Sequence, residues 1–317
     1  MSWTGRLQAI RTAIADLEDV DMFIPRLCSS IVLLSLFGGM IFAPHPYNVW
    51  IFWIFSTLLT FFLTREMCVI FKKLNMEVFD KTVQFMTVLS VFLFNMSTPE
   101  NSNNYIITSI VMSLFFICSI GCILYLLFTE NKAERIRKLF HSIALYIFIL
   151  IPIFMIASIY YMGLETYGKY NIIFLFFVLM TKIGDIGAYI TGTLSNRLLK
   201  GGNHKMVPSI SPGKSWEGAA GGLIITTLLC WGFHHWFMMI PNIAGIFVVS
   251  ILFFFGGMAG DLAESVIKRA AEIKDSGHAI PGIGGVYDLV DSLFMTAPIF
   301  LFIFFLGKNT LLAFLEI

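Results

Sequence analysis

Nine apolar segments, at 24–44, 48–64, 82–98, 105–128, 139–162, 169–190, 218–240, 243–263 and 288–307, leave this chain few possible folds. A helix needs about 20 apolar residues to cross the hydrocarbon core of a bilayer, and only helices or closed barrels satisfy their backbone there. The spacing predicts an all-α integral membrane protein of about nine transmembrane helices. Composition agrees: 57% of the 317 residues are hydrophobic and 13% are charged, against about 25% charged in soluble domains.

The segments between the spans sort by charge. The N-terminus (Arg6, Arg11, Arg26), 65–81, 129–138, 191–217 and 264–287 hold 18 of the 21 Lys and Arg residues. The alternate connections hold Lys169 and, at the C-terminus, Lys308, while Lys182 lies inside a span. Basic loops stay in the cytosol, so nine crossings place the N-terminus in the cytosol and the C-terminus outside. No cleavable signal peptide is expected, because the first 22 residues are polar and no small-residue cleavage site follows the first span. In residues 1–23, Leu7, Ile10, Ile14 and Leu17 share one helical face, which suits a membrane-surface anchor or a helix packed on a cytosolic loop. Residues 24–317 read as one polytopic membrane domain whose chemistry is concentrated at about 169–307. The five cysteines form no CxxC pair and read as small core residues. No nucleic-acid partner is expected.

Topology brings carboxylates to one depth. Asp185 lies near the inner end of its span and Asp261 near the inner end of another; Glu217, Asp288 and Asp291 open helices at the same face. Charges in spans are costly and usually functional. Like charges gathered at low dielectric repel unless a cation lies between them, and hard carboxylate oxygens beside phosphate groups suit Mg²⁺. Asp261, Glu264, Ser265 and Lys268 fall at i, i+3, i+4 and i+7, one polar helix face; Asp288, Asp291 and Ser292 repeat the pattern. Between them Pro281, Gly282, Gly284 and Gly285 predict a tight turn whose backbone N–H groups are free for a phosphate. Lys182 is expected to pair with Asp185, one turn away.

The loop PSISPGKSWEG at 208–218 contains Gly-Lys-Ser, but Pro208 stands where a P-loop needs its first glycine, and no strand is expected before it. Ser211, Lys214 and Ser215 remain candidates for phosphate contact. His204 and His278 read as solvated loop residues, and Trp231, His234, His235 and Trp236 as an outer interfacial belt.

At 265–291 the chain resembles the signature of the phosphatidate cytidylyltransferases, S-x-x-K-R-x4-K-D-x-[small]-x2-[apolar]-P-G-H-G-G-x2-D-R-x-D. Ser265, Lys268, Arg269, Lys274, Asp275, Gly277, Ile280, Pro281, Gly282, Gly284, Gly285, Asp288 and Asp291 match in register. GDIGAYITG at 184–192 and SPGKSWEGAAGG at 211–222 resemble two further motifs of that family. Ile283 and Leu289 stand where the family usually has His and Arg. The resemblance implies a Mg²⁺-dependent transfer of cytidylyl from CTP to phosphatidic acid. Metal ligands would be Asp261 and Asp288. The catalytic set would be Asp185, Lys268, Arg269, Lys274, Asp275 and Asp291, and the substrate-binding set Ser211, Lys214, Glu217, Ser265, Gly284 and Gly285. It also implies a monovalent cation such as K⁺, a homodimer and an active site facing the cytoplasm. Two alternatives are a CTP-dependent lipid kinase of the polyprenol or phytol type, with a similar KDxG…PG-GG-D-D arrangement, and a transporter using midplane carboxylates.

Overall fold

The computed structural model describes residues 24–96, 132–167, 170–199, 201–237 and 243–306. These form eight helices and one β-hairpin: α1 (Ile24–Phe42), α2 (Tyr47–Lys73), α3 (Asp80–Met96), α4 (Lys132–Tyr167), α5 (Ile172–Leu198), β1 (Lys205–Val207), β2 (Ser211–Ser215), α6 (Trp216–Phe237), α7 (Ile243–Ala270) and α8 (Val286–Leu306). Six of them, α1, α2, α4, α5, α7 and α8, are long and apolar enough to cross a membrane. The chain is an all-α integral membrane protein. The segment expected to lie at the interface, 1–23, and the span expected at 105–128 fall outside the described residues.

Small residues set the helix packing, as they do where lipid removes any hydrophobic gain from association. The α5–α6 and α7–α8 pairs make the most extensive contacts. Gly184, Gly187 and Gly192 on α5 meet Gly218 and Gly222 on α6, so close that a Cβ on Gly222 would lie 2.7 Å from the Gly184 carbonyl oxygen. On α7, a Cβ on Gly260 would lie 2.5 Å from the Asp291 carbonyl oxygen and 2.8 Å from Ser292 Cα of α8. Larger side chains would push apart the helices that carry the signature aspartates.

Two apolar clusters flank this frame. One joins Phe52, Tyr160, Phe174, Phe177, Phe253 and Phe300 from α2, α4, α5, α7 and α8; Phe52 stacks on Tyr160 with ring centroids 3.8 Å apart. The other joins Leu63, Met67, Val83, Leu145, Ile149 and Val290. α3 and α4 run parallel: Phe79 N–H donates to Ser142 Oγ (2.9 Å), Ser90 and Tyr146 hydroxyls meet at 2.8 Å, and Phe94 stacks on Phe154. Buried polar groups pair between helices, with Asn95 donating to Ser56 Oγ (2.9 Å) and Tyr161 OH donating to Asn95 Oδ1 (3.0 Å).

Helix α1 is largely exposed, but its first turn is fixed: Arg26 Nε donates to the Gly282 carbonyl and Ser29 Oγ to the Pro281 carbonyl, both at 2.8 Å. Cys68 and Cys230 are buried, as expected, whereas Cys28 is exposed on α1, an apolar helix that the described residues leave largely uncovered. Cys118 and Cys122 lie outside the described residues. Trp231 and Trp236 are exposed near the end of α6, consistent with an interfacial belt.

Candidate active site

The hairpin is the first departure from expectation. Where an irregular loop was expected, β1 pairs antiparallel with β2, with Lys205 opposite Ser215 and Val207 opposite Ser211. The Gly-Lys-Ser sequence is therefore on a strand. Ser215, 3% exposed, accepts the Gly218 N–H at 3.1 Å and so caps α6, while its O–H keeps a hydrogen for a ligand in the cavity that Ser215 helps to line. Glu217 also serves the hairpin: its carboxylate accepts the His204 backbone N–H at 3.1 Å and faces His204 Nδ1 at 2.6 Å. His204 is solvated, as expected, but not unpartnered.

The hairpin closes one side of a cavity of about 200 Å³ lined by Asp185, Tyr189, Ser211, Lys214, Met258 and Asp261, among others. Lys214 Nζ lies 3.2 Å from Asp261 Oδ2 and donates to the Met258 carbonyl at 3.3 Å. Asp185 and Asp261 face one another in this cavity, delivered by α5 and α7. Asp291, 6% exposed on α8, adjoins Asp261 and Glu264. Glu264, 5% exposed, adjoins Asp288, and Lys268 bridges that pair at 2.9 Å from Glu264 Oε1 and 3.0 Å from Asp288 Oδ1.

Lys182 acts on Asp185 through its charge, as expected, but makes its close contacts across the helix pair: it donates to Ser292 Oγ at 2.6 Å and lies 3.6 Å from Asp291 Oδ1, because α5 packs on α8. Five carboxylates (Asp185, Asp261, Glu264, Asp288, Asp291) thus line up between three ammonium groups (Lys182, Lys214, Lys268). Fully ionised, the row carries 3 − 5 = −2, the charge one divalent cation would balance. Hard oxygen donors beside a pocket open to phosphate fit such an ion, although among the described residues no three His, Cys, Asp or Glu side chains are already drawn around one ion position.

The glycine turn corrects a second expectation. The N–H groups of Ile283, Gly284 and Gly285 are taken. Ile283 and Gly284 donate to the Ile280 carbonyl at 3.1 and 3.0 Å. Gly285 N–H donates to Asp288 Oδ2 at 2.9 Å, the return bond of a capping box. The next two amides, of Val286 and Tyr287, donate to Glu66 Oε1 and Oε2 at 2.9 and 3.0 Å. Gly284 and Gly285 therefore shape the turn instead of offering amides to phosphate; Gly284 has φ +127°, a conformation that favours glycine. Ser265 is half-buried on the polar face of α7, Arg269 is exposed in its last turn, where Nη1 donates to the Ile273 carbonyl at 3.4 Å, and Lys274 and Asp275 are exposed beyond its end. Ile283 is 38% exposed, and Leu289 packs against the second apolar cluster.

Two participants are not singled out by the sequence. Glu264 is legible as part of the polar face of α7 but not as a member of the carboxylate row. The apolar run ends at residue 64, which on sequence puts Glu66 in a loop; α2 continues to Lys73, and burial of Leu63, Met67 and Ile70 on the same side is the signal that Glu66 turns inward.

A model of the cytidylyltransferase family matches residues 24–306. A phosphatidate cytidylyltransferase of Haemophilus influenzae is 36% identical over 158 residues, covering 47% of this chain and 53% of that protein. An Escherichia coli protein named uncharacterized protein YnbB is 36% identical over 129 residues, covering 40% of this chain and 41% of that protein. The chain spans about half the length of these curated relatives. A phosphatidate cytidylyltransferase of Staphylococcus saprophyticus matches at 28% identity over 259 residues, covering 78% of this chain and 86% of that protein.

Proposed function

The chain belongs to the cytidylyltransferase family, and from that premise we propose that it transfers cytidylyl from CTP to phosphatidic acid, giving CDP-diacylglycerol and pyrophosphate. The observation that carries this reading is the row of five carboxylates between three lysines, beside a cavity roofed by the basic hairpin. In the reaction a phosphate oxygen of the lipid attacks the α-phosphorus of CTP. The bond from that phosphorus to the oxygen bridging the β-phosphate breaks, and the electron pair leaves with pyrophosphate. The attacking phosphate is already anionic, so the reaction needs alignment and neutralisation of two polyanions more than a proton-transfer base.

Lys214 and Ser211 of the hairpin, with Lys268 of α7, are the groups placed to hold phosphate. Arg269, Lys274 and Asp275 are exposed and would meet the substrates from solvent. Asp261 and Asp288 would hold Mg²⁺, with Asp185 and Asp291 beside them; bound there, the ion supplies Lewis-acid neutralisation of phosphate charge. The cavity is smaller than the roughly 300–1,000 Å³ usual for whole ligands, so it takes the phosphate end of the nucleotide and leaves the base outside.

The same reading includes nine crossings with a cytosolic N-terminus and an outer C-terminus, the site at the cytoplasmic face. The bonds from Arg26 and Ser29 to Pro281 and Gly282 support it, since they place the start of α1 and the signature turn on one face. It also includes the division into an interfacial segment at 1–23 and one membrane domain at 24–317 with its catalytic half at 169–307, a monovalent cation such as K⁺ and a homodimer.

The experiment incubates purified protein with phosphatidic acid, Mg²⁺ and CTP labelled at either the α- or the γ-phosphate. Lipid labelled from the α-phosphate, with release of pyrophosphate, is the expected result. Lipid labelled only from the γ-phosphate overturns the assignment in favour of a lipid kinase.

A further inference from the structure

We infer that Glu66 of α2 is a positioning residue that assembles the signature segment, an inference that rests on the proposed cytidylyl transfer for its catalytic consequence. Glu66 lies far from the 265–291 signature in sequence, in a half of the chain that carries no motif. Its carboxylate is 7% exposed and reaches three parts of that signature. It accepts the Val286 and Tyr287 N–H groups, the first two of α8, at 2.9 and 3.0 Å. Ser276 Oγ donates to Glu66 Oε2 at 3.4 Å. A carboxylate suits this place because it meets the positive end of the α8 dipole and satisfies amides left without partners inside the helix.

The contact explains one glycine of the signature and bears on a second. A Cβ on Gly277 would lie 2.5 Å from Glu66 Oε1, with Glu66 atoms its three nearest neighbours. One on Gly285 would meet Ser276 Oγ at 1.9 Å and the Gly277 backbone nitrogen at 2.7 Å before Glu66 Oε2 at 2.8 Å, so the carboxylate adds to a position already closed by its own segment. The small residue two places after Lys274-Asp275 is therefore a seat for Glu66, and the seat fixes where that exposed pair leaves the protein.

The geometry then continues to the chemistry. Glu66 holds the first two amides of α8, Asp288 holds the one before them from within α8, and Lys268 holds Asp288. With Glu66 in place the N-terminus of α8 has one arrangement, in which Asp288 faces Lys268 and Glu264. Without it two buried amides lose their acceptor, and the first turn of α8 can fray. Asp288, three residues into that helix, moves with the turn.

The test uses the full chain in lipid nanodiscs and the isosteric Glu66→Gln variant, which keeps the side-chain volume so that the protein still folds. Its carboxamide has one acceptor oxygen, so one amide keeps a partner and the other faces an NH₂ group. In hydrogen–deuterium exchange, the peptide covering Gly285–Asp288 is expected to exchange at least about tenfold faster than in the wild type, while α3 and α4 exchange at wild-type rates. In steady-state assays kcat is expected to fall about 10- to 100-fold with KM for CTP within about twofold, because misplacement of a reacting group acts mainly on the chemical step. The Mg²⁺ concentration for half-maximal rate is expected to rise, and Glu66→Asp to recover part of the loss.

Wild-type exchange at Gly285–Asp288 together with wild-type kcat overturns the inference. So does accelerated exchange throughout the protein with an unmoved Mg²⁺ requirement, the signature of a merely structural residue. If the wild-type protein transfers no cytidylyl at all, the functional reading falls and the exchange measurement alone decides the role of Glu66.

Discussion

Asp261→Asn is expected to lower cytidylyl transfer by about 10²–10³-fold, the scale seen when one preorganised electrostatic group is removed from an active site, without loss of folded protein. The substitution is nearly isosteric and removes one charge from the middle of the carboxylate row. Asp261 faces Asp185 across the cavity, adjoins Asp291 and pairs with Lys214 at 3.2 Å. Three carboxylates this close disfavour one another in a partly buried setting. Removing the central charge relieves that repulsion, and Lys214 keeps its bond to the Met258 carbonyl. Thermal stability measured without Mg²⁺ is therefore expected to hold or rise as activity collapses. Such opposite movement marks a group kept for function at some expense to the fold. The measurement pairs a thermal melt in detergent with an initial-rate assay on the same preparation. Activity within about fivefold of wild type would remove Asp261 from the reacting centre, since a lost transition-state contact costs far more than that.

The parts of this site that could be read from the sequence are those that depend on position along a helix. Asp185, Asp261, Asp288 and Asp291 lie together in the structure, as the span boundaries and the 1.5 Å helical rise predict. Residues joined by contacts between distant segments could not be read that way. The turn at 281–285 has the composition of a phosphate cradle, yet the amides of 283–285 go to the Ile280 carbonyl and to Asp288, and the two amides that follow go to a carboxylate contributed by α2, more than 200 residues earlier. Lys182 has Asp185 as a helical neighbour but bonds across to Ser292 and Asp291. The hairpin escaped because β2 reads Ser-Pro-Gly-Lys-Ser, with neither β-branched residues nor alternation. Glu66 escaped because a span was ended at its first charged residue, whereas helices commonly continue past the hydrocarbon core. A carboxylate flanked at i−3, i+1 and i+4 by buried apolar residues is the sequence pattern that marks such a position.

Gly260→Ala is expected to damage fold and activity together, the opposite of Asp261→Asn one residue later. A Cβ at Gly260 would meet the Asp291 carbonyl oxygen at 2.5 Å and Ser292 Cα at 2.8 Å. Both are main-chain atoms of α8 and cannot rotate away as a flexible side chain would. α7 and α8 must separate, at a cost of about 1–3 kcal/mol for an overpacked contact, equivalent to a fall in Tm of roughly 2–5 °C in a chain of this length. The separation falls where Asp261 adjoins Asp291, so the carboxylate row opens at its centre and the transfer rate is expected to drop by about 10²-fold for a displacement near 1 Å. Gly38→Ala is the control: on α1, with nothing within 4 Å of the new Cβ, alanine raises helix propensity by about 0.8–1 kcal/mol and should leave activity unchanged. A melting curve and an initial rate for each variant decide the matter. Wild-type behaviour of Gly260→Ala would mean that α7 and α8 are not packed through their backbones and that the depth at which the aspartates meet is set by something other than these small residues.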